Sequence, residues 1–181
     1  MMGRTAKAPA RRRAFTLVEL IASMSVLAIV ASVGAGVVWT AAGQYADGAE
    51  SVRLHSETSV AMDRIVRALR SVDAESATAP AIDTVTASSI AWNTDCSLTL
   101  SGTDLLLTED GGAPGVLLRG VTTLSVTAYD ADNAAMGASL TGAACDDIRR
   151  VSITITASSG AVSETIRTRV YLRCMMLESM T

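Results

Sequence analysis

Cysteines, a single histidine, a loop of clustered carboxylates and one isolated acid are the side chains through which this 181-residue sequence could do chemistry. Cys96, Cys145 and Cys174 are the three cysteines, and no two stand in a C-x-x-C spacing, so neither a structural zinc site nor a thioredoxin-like redox pair is indicated. One disulfide with a spare thiol is the expectation outside the cytoplasm. Spacing does not select the pair; Cys96 with Cys145 is the candidate, because Cys174 lies in a methionine-rich tail. His55 has no neighbouring cysteine and no ligand spacing, and it reads as a surface residue of a helix. In "YDADNAAMG", Asp130, Asp132 and Asn133 gather oxygens that suit calcium, with Asp146 and Asp147 further on. That loop does not match an EF-hand, and Asp and Asn also favour turns for conformational reasons. The serines lie outside any G-x-S-x-G elbow. No catalytic constellation emerges, so an enzyme is not expected, and calcium is the one cofactor to consider.

The isolated acid is Glu19, in "RRRAFTLVELIASMSVLAIV". It is the only charge between Phe15 and Trp39, a run of about 25 residues, long enough for a helix to cross a bilayer core of roughly 30 Å. A carboxylate at such depth costs on the order of 2.5 to 3.5 kcal/mol on insertion scales, so it calls for a partner. Arg4, Lys7, Arg11, Arg12 and Arg13 precede the run and no acid does, which predicts a cytoplasmic amino terminus and an external remainder. A secretory signal peptide has a shorter apolar region and a small-residue cleavage site after it. A plain uncleaved anchor fits the length but leaves Glu19 without a purpose.

These residues carry a family resemblance. "RRRAFTLVELIASM" resembles the class III signal of type IV pilins and of the pseudopilins of type II secretion systems: a basic leader containing Arg11, Arg12 and Arg13, a small residue, then Phe-Thr-Leu-Val-Glu opening a long apolar helix. The resemblance implies cleavage between Ala14 and Phe15 by a membrane-embedded prepilin peptidase, followed by N-methylation of Phe15 by the same enzyme. The residue before the cut is usually glycine, and Ala14 departs from that while staying small. The resemblance further implies that Glu19, at mature position five, attracts the charged amino terminus of a neighbouring subunit in a filament of side-by-side helices, compensating both charges.

The elements that position these residues follow from periodicity. Met62, Ile65, Val66, Leu69 and Val72 recur at spacings of three and four, one stripe of an amphipathic helix, with Asp63 and Arg67 spaced to pair on its exposed side. The helix is expected to stop near Asp73, before "ESATAPAI" and Pro80. Gly34, Gly36, Gly43 and Gly48 are places where it could bend or melt, or where helices could pack closely. From Ile82 onward short strands are expected: "SIAWN", "SLTLS", "DLLLT", "GVLL" and "TTLSVTAYD", with "EDGGAPG" as a turn. In "VSITITA" and "VSETIRTRVYLR", joined at "SSG", Val151, Ile153 and Ile155 share a face with Val162, Ile166, Val170 and Leu172, an amphipathic hairpin expected to bury itself against Ile65, Leu69 and Val72. Arg167, Arg169 and Arg173 take the opposite face, as solvated charges blunting an edge or as a docking strip for an acidic neighbour.

The expected fold class is therefore α+β, pilin-like: a long amino-terminal helix packed on a carboxy-terminal antiparallel sheet domain. The expected divisions are a leader at 1–14, a transmembrane half-helix at 15–39, an amphipathic half-helix at 40–75 and a β-rich domain at 80–181. Setting the five leader charges aside leaves ten basic against eighteen acidic residues, a net of −8, which argues against a nucleic-acid-binding surface. The expected partners are the prepilin peptidase and N-methyltransferase, other pilin or pseudopilin subunits, and the inner membrane. "SVAMDRIVRALRSV" and the strand-rich ending are similar to minor pseudopilins of the J kind. A minor pilin for adhesion or DNA uptake is the alternative filament role. An uncleaved membrane-anchored binding module is the alternative of another class.

Overall fold

A computed structural model describes residues 16–175. The chain divides into two units at Tyr45/Ala46. A single helix, α1 (Leu17–Arg70), supplies residues to both.

In the first unit the helix begins where the chemistry of its first turn dictates. Thr16 lies just outside it, and its hydroxyl accepts the Glu19 backbone N–H at 3.3 Å while its carbonyl accepts Leu20 N–H at 3.1 Å. The segment T-L-V-E thus has the composition of a capping box, with the threonine half of the box formed. Apolar side chains follow on every face. Each large apolar residue from Leu17 to Trp39 is at least 50% exposed. The few hydroxyls fold back onto the helix: Ser23, Ser25, Ser32 and Thr40 donate to the carbonyls of Leu20, Ile21, Ile29 and Gly36. That satisfies them without water and fits them for an apolar solvent. Gly34, Gly36 and Gly43 do not melt the helix, one of the alternatives open for them in the sequence, and a Cβ on any of them would meet nothing within 4 Å. In hydrocarbon, backbone groups released from a helix find no water to bond, which outweighs the roughly 1 kcal/mol preference against glycine.

The second unit holds the core. Leu54, Thr58, Ala61, Met62, Ile65, Ala68 and Leu69 form the buried stripe of α1, at the three-and-four spacing read from the sequence. The helix stops at Arg70, three residues earlier than expected from the sequence. Asn93 causes this: its Nδ2 donates to Ser71 O at 3.3 Å and its Oδ1 accepts Asp73 N–H at 3.0 Å, ending the helix from outside. The expected Asp63–Arg67 pair does not form. Ion pairs that do form on this stretch include Arg53–Glu57 at 3.0 Å and Arg64–Glu109 at 2.6 Å. A solvent-exposed pair at this spacing is worth only a few tenths of a kcal/mol, so whether one forms bears little on the fold.

Nine strands follow, all pairings antiparallel: β1 (Ile82–Thr86), β2 (Ser89–Trp92), β3 (Cys96–Ser101), β4 (Asp104–Thr108), β5 (Gly115–Leu118), β6 (Val121–Tyr129), β7 (Leu140–Thr141), β8 (Arg150–Ser159) and β9 (Val162–Tyr171). One sheet has the order β5-β4-β3-β2-β1-β7 and the other β6-β8-β9. The strands named in advance all form within a residue or two. β1 and the two-residue β7 were not anticipated.

The two sheets are tied where Val126 N–H donates to Ala87 O at 3.0 Å. Gly120 enters β6 with φ +72°, and a Cβ there would lie 2.7 Å from Ser158 O, so only glycine fits. The β8–β9 hairpin keeps its expected register. Val151, Ile153 and Ile155 are fully buried, Val170 and Leu172 nearly so, and Val162 and Ile166 are half-buried beside them. They share one core with Ile65, Leu69 and Val72 of the helix and its exit.

Candidate functional site

The candidate processing site, Ala14 and Phe15 with leader arginines Arg11, Arg12 and Arg13, lies outside the described residues. Glu19 lies within them, in the first turn of α1. The helix dipole tolerates an anion best there, where it is worth about 0.3 to 1 kcal/mol at exposed sites. Among the described residues its carboxylate has no hydrogen-bond or ion-pair partner. It heads a face that continues through Ala22, Ser23, Val26, Leu27 and Val30, so one acidic side chain opens an otherwise apolar stripe. It can attract a cation in a setting where little else would compensate the charge.

The other candidates separate in space. Cys96, Cys145 and Cys174 are free thiols, which corrects the expected Cys96–Cys145 pairing. Cys96 opens β3 opposite Trp92 of β2, which in turn faces Ile82 of β1, whereas Cys145 lies beside β1 with its Sγ 3.8 Å from Asp83 O. Crossing two strands spans roughly 10 Å, beyond the reach of a disulfide. Burial raises all three thiols above their ordinary value of 9.0, aided by Asp95 at Cys96, by Asp146 and Asp83 at Cys145 and by Asp73 at Cys174, while backbone hydrogen bonds oppose it at Cys96 and Cys174.

His55 is exposed, as expected, but not idle: its Nδ1 lies 2.9 Å from Glu164 Oε1 on β9, fastening helix to sheet. Glu50 adds a second fastening by accepting the Ser159 hydroxyl at 2.6 Å.

The calcium candidates are otherwise engaged. Asp130 Oδ1 accepts Ala134 N–H at 2.8 Å, closing the loop as a turn. Asn133 Oδ1 accepts from the guanidiniums of both Arg150 and Arg169, so two cations already face the oxygen a metal would need. Asp130, Asp132 and Asp147 do border one concavity, with Arg149 among them. No group of three or more His, Cys, Asp or Glu is placed to hold a metal among the described residues.

The arginines expected on the final strand divide: Arg167 and Arg169 lie on the outer face of β9, while Arg173 falls beyond it in a short 3-10 turn, Arg173–Met175. Sequence reasoning missed Arg150, which β8 places in the same outer face, and it missed Tyr129 and Tyr171, which flank Arg150 in register. It also missed the Thr16 cap, for which T-x-x-E was a legible signal.

Residues 9–35 match the prokaryotic N-terminal methylation motif. With an apolar helix long enough to cross a membrane and the antiparallel sheets behind it, that match is consistent with a pilin-like protein and supports a prepilin-like substrate of prepilin peptidase. Its α+β architecture is the pilin-like plan expected from the sequence. The motif points to a structural subunit that assembles with other pilins and is anchored in the inner membrane by one helix. The match ends at residue 35 and does not extend into the sheet domain. No curated protein and no solved structure matches the chain.

Proposed function

We infer that this protein is a minor filament subunit, cut between Ala14 and Phe15, methylated at Phe15, and assembled through α1 into a type II secretion pseudopilus or a type IV pilus. The observation that carries the reading is Glu19, a carboxylate without a partner among the described residues at the head of an exposed apolar face inside the methylation motif. A filament supplies what that residue lacks: the methylated, positively charged amino terminus of the next subunit. The leader charges Arg4, Lys7, Arg11, Arg12 and Arg13 favour a cytoplasmic amino terminus and a second unit outside the inner membrane.

Mass spectrometry of the amino terminus of protein taken from its own membranes tests the processing. The expected start is methylated Phe15; a start at Met1 or Met2 with Arg11 to Arg13 attached would make the protein a plain anchor. Glu19→Ala tests the assembly step. Cleavage should proceed and recovery of the subunit in sheared filaments should fall by at least roughly tenfold, as befits losing an ion pair in an apolar setting. Filaments that take up the variant normally would sink the role given to Glu19.

A further inference from the structure

We propose that the outer face of the β6-β8-β9 sheet is a docking surface for a carboxylate-bearing segment of a neighbouring pilin-like subunit. The partner assignment rests on the filament reading above; the chemistry of the face stands on its own. Antiparallel register sets Tyr129, Arg150 and Tyr171 in one row, Thr127, Ser152 and Arg169 in the next, and Ser125, Thr154 and Arg167 in a third. None of these nine positions holds an acid. Three guanidiniums therefore share one face of a chain whose formal charge is −3.

Among the described residues their partners are all neutral. Arg150 lies over the Tyr171 ring at 4.9 Å from its centroid and Arg169 over the Tyr129 ring at 4.3 Å. Arg150 and Arg169 donate to Asn133 Oδ1, Arg150 also to Ala131 O at 3.2 Å, and Arg167 Nε to Ser152 Oγ at 3.2 Å. No carboxylate pairs with any of the three among the described residues, and Arg150 Nε is buried without an acceptor. Stacking and neutral acceptors hold the forks in place without discharging them. An incoming carboxylate meets cations whose side-chain ordering cost has already been met in folding, and planar forks suit it bidentately. Solvated edge charges need none of this scaffolding.

A short acidic protein segment fits better than nucleic acid. Three guanidiniums are too few to neutralise a continuous run of phosphates. Pairing with carboxylates needs only local complementarity.

The full chain in neutral-detergent micelles, titrated with hexaglutamate peptide, tests the chemistry. Binding should weaken with salt and be roughly tenfold weaker in the double variant Arg167→Gln/Arg169→Gln. An undiminished affinity in that variant at unchanged melting temperature overturns the proposal, as does absence of binding by the wild type. Tighter binding of a single-stranded oligonucleotide of equal charge overturns it in favour of nucleic acid. In membranes of the native host, a photo-crosslinking residue at Thr154 should join the chain to an Asp- or Glu-rich segment of another pilin-like subunit. A chain correctly processed at Phe15 that crosslinks to nothing, or to a neutral segment, overturns the docking surface and leaves the filament reading standing. An unprocessed chain overturns the filament reading, and the hexaglutamate titration then decides the face alone.

Discussion

Single side chains decide the electrostatics of this protein, and the thiols show it in reverse: they are kept neutral. Cys96, Cys145 and Cys174 are each pushed above 9.0 first of all by burial. The folded state holds these protons more tightly than the unfolded chain, so their contribution to stability is complete below pH 9 and fades as the pH rises through the raised folded values. Alkylation should follow the same order. Iodoacetamide should label the native chain slowly at pH 7.5, and a denatured sample never exposed to reductant should gain three labels by mass spectrometry. A gain of only one would establish a disulfide, and a peptide map joining Cys96 to Cys145 would refute their separation. That separation was not readable from spacing, because it depends on β1 and β2 standing between the two residues, and β1 was not anticipated at all.

At the scale of elements, glycine and asparagine do work that periodicity cannot reveal. Gly120→Ala should destabilise the protein by more than about 1 kcal/mol, since it adds both a strained φ and a clash with Ser158 O; a melting temperature unchanged within a degree would contradict that geometry. The strands written as alternating or continuous apolar runs were legible, because burial of every second residue leaves its pattern in the sequence. "IDTVT" lacks alternation: its buried positions are Ile82 and Val85, three apart, with a shift of register between Ile82 and Thr84. The helix end was misjudged by three residues for a related reason. Its stop signal, Asn93, lies in a distant turn with φ +53°, and nothing local to Arg70 announces it. The membrane-length run and the T-x-x-E start, in contrast, are local signals throughout, and the first of them was read directly.

For the molecule as a whole, the second unit gathers the buried helix stripe and both sheets into one core. A fragment spanning Ala46–Thr181 should therefore fold without the apolar helix half. Its single tryptophan, Trp92, is 1% exposed, so fluorescence and far-UV circular dichroism should report the same urea midpoint. Separate midpoints would mean that the two sheets unfold independently and that the shared core overstates their coupling. The overall plan was legible because each unit answers to its own solvent: one stretch is apolar on every side, the other alternates. The acidic balance was legible too, but it concealed the arginine face, since composition averages over surfaces that register keeps apart.

Asn93 has one more consequence, which concerns time. It reaches back only 22 residues to Ser71, and β1 through β5 are a meander in which each strand pairs with the one just before it. A chain delivered amino end first can thus finish its helix and five strands before β6 has emerged. The groups left waiting are the far edge of β1, which needs β7, and the helix face that β8 and β9 will cover. The last two strands to arrive, β8 and β9, complete the arginine-bearing face, so the surface proposed to recruit a neighbour comes into being only when the subunit is whole.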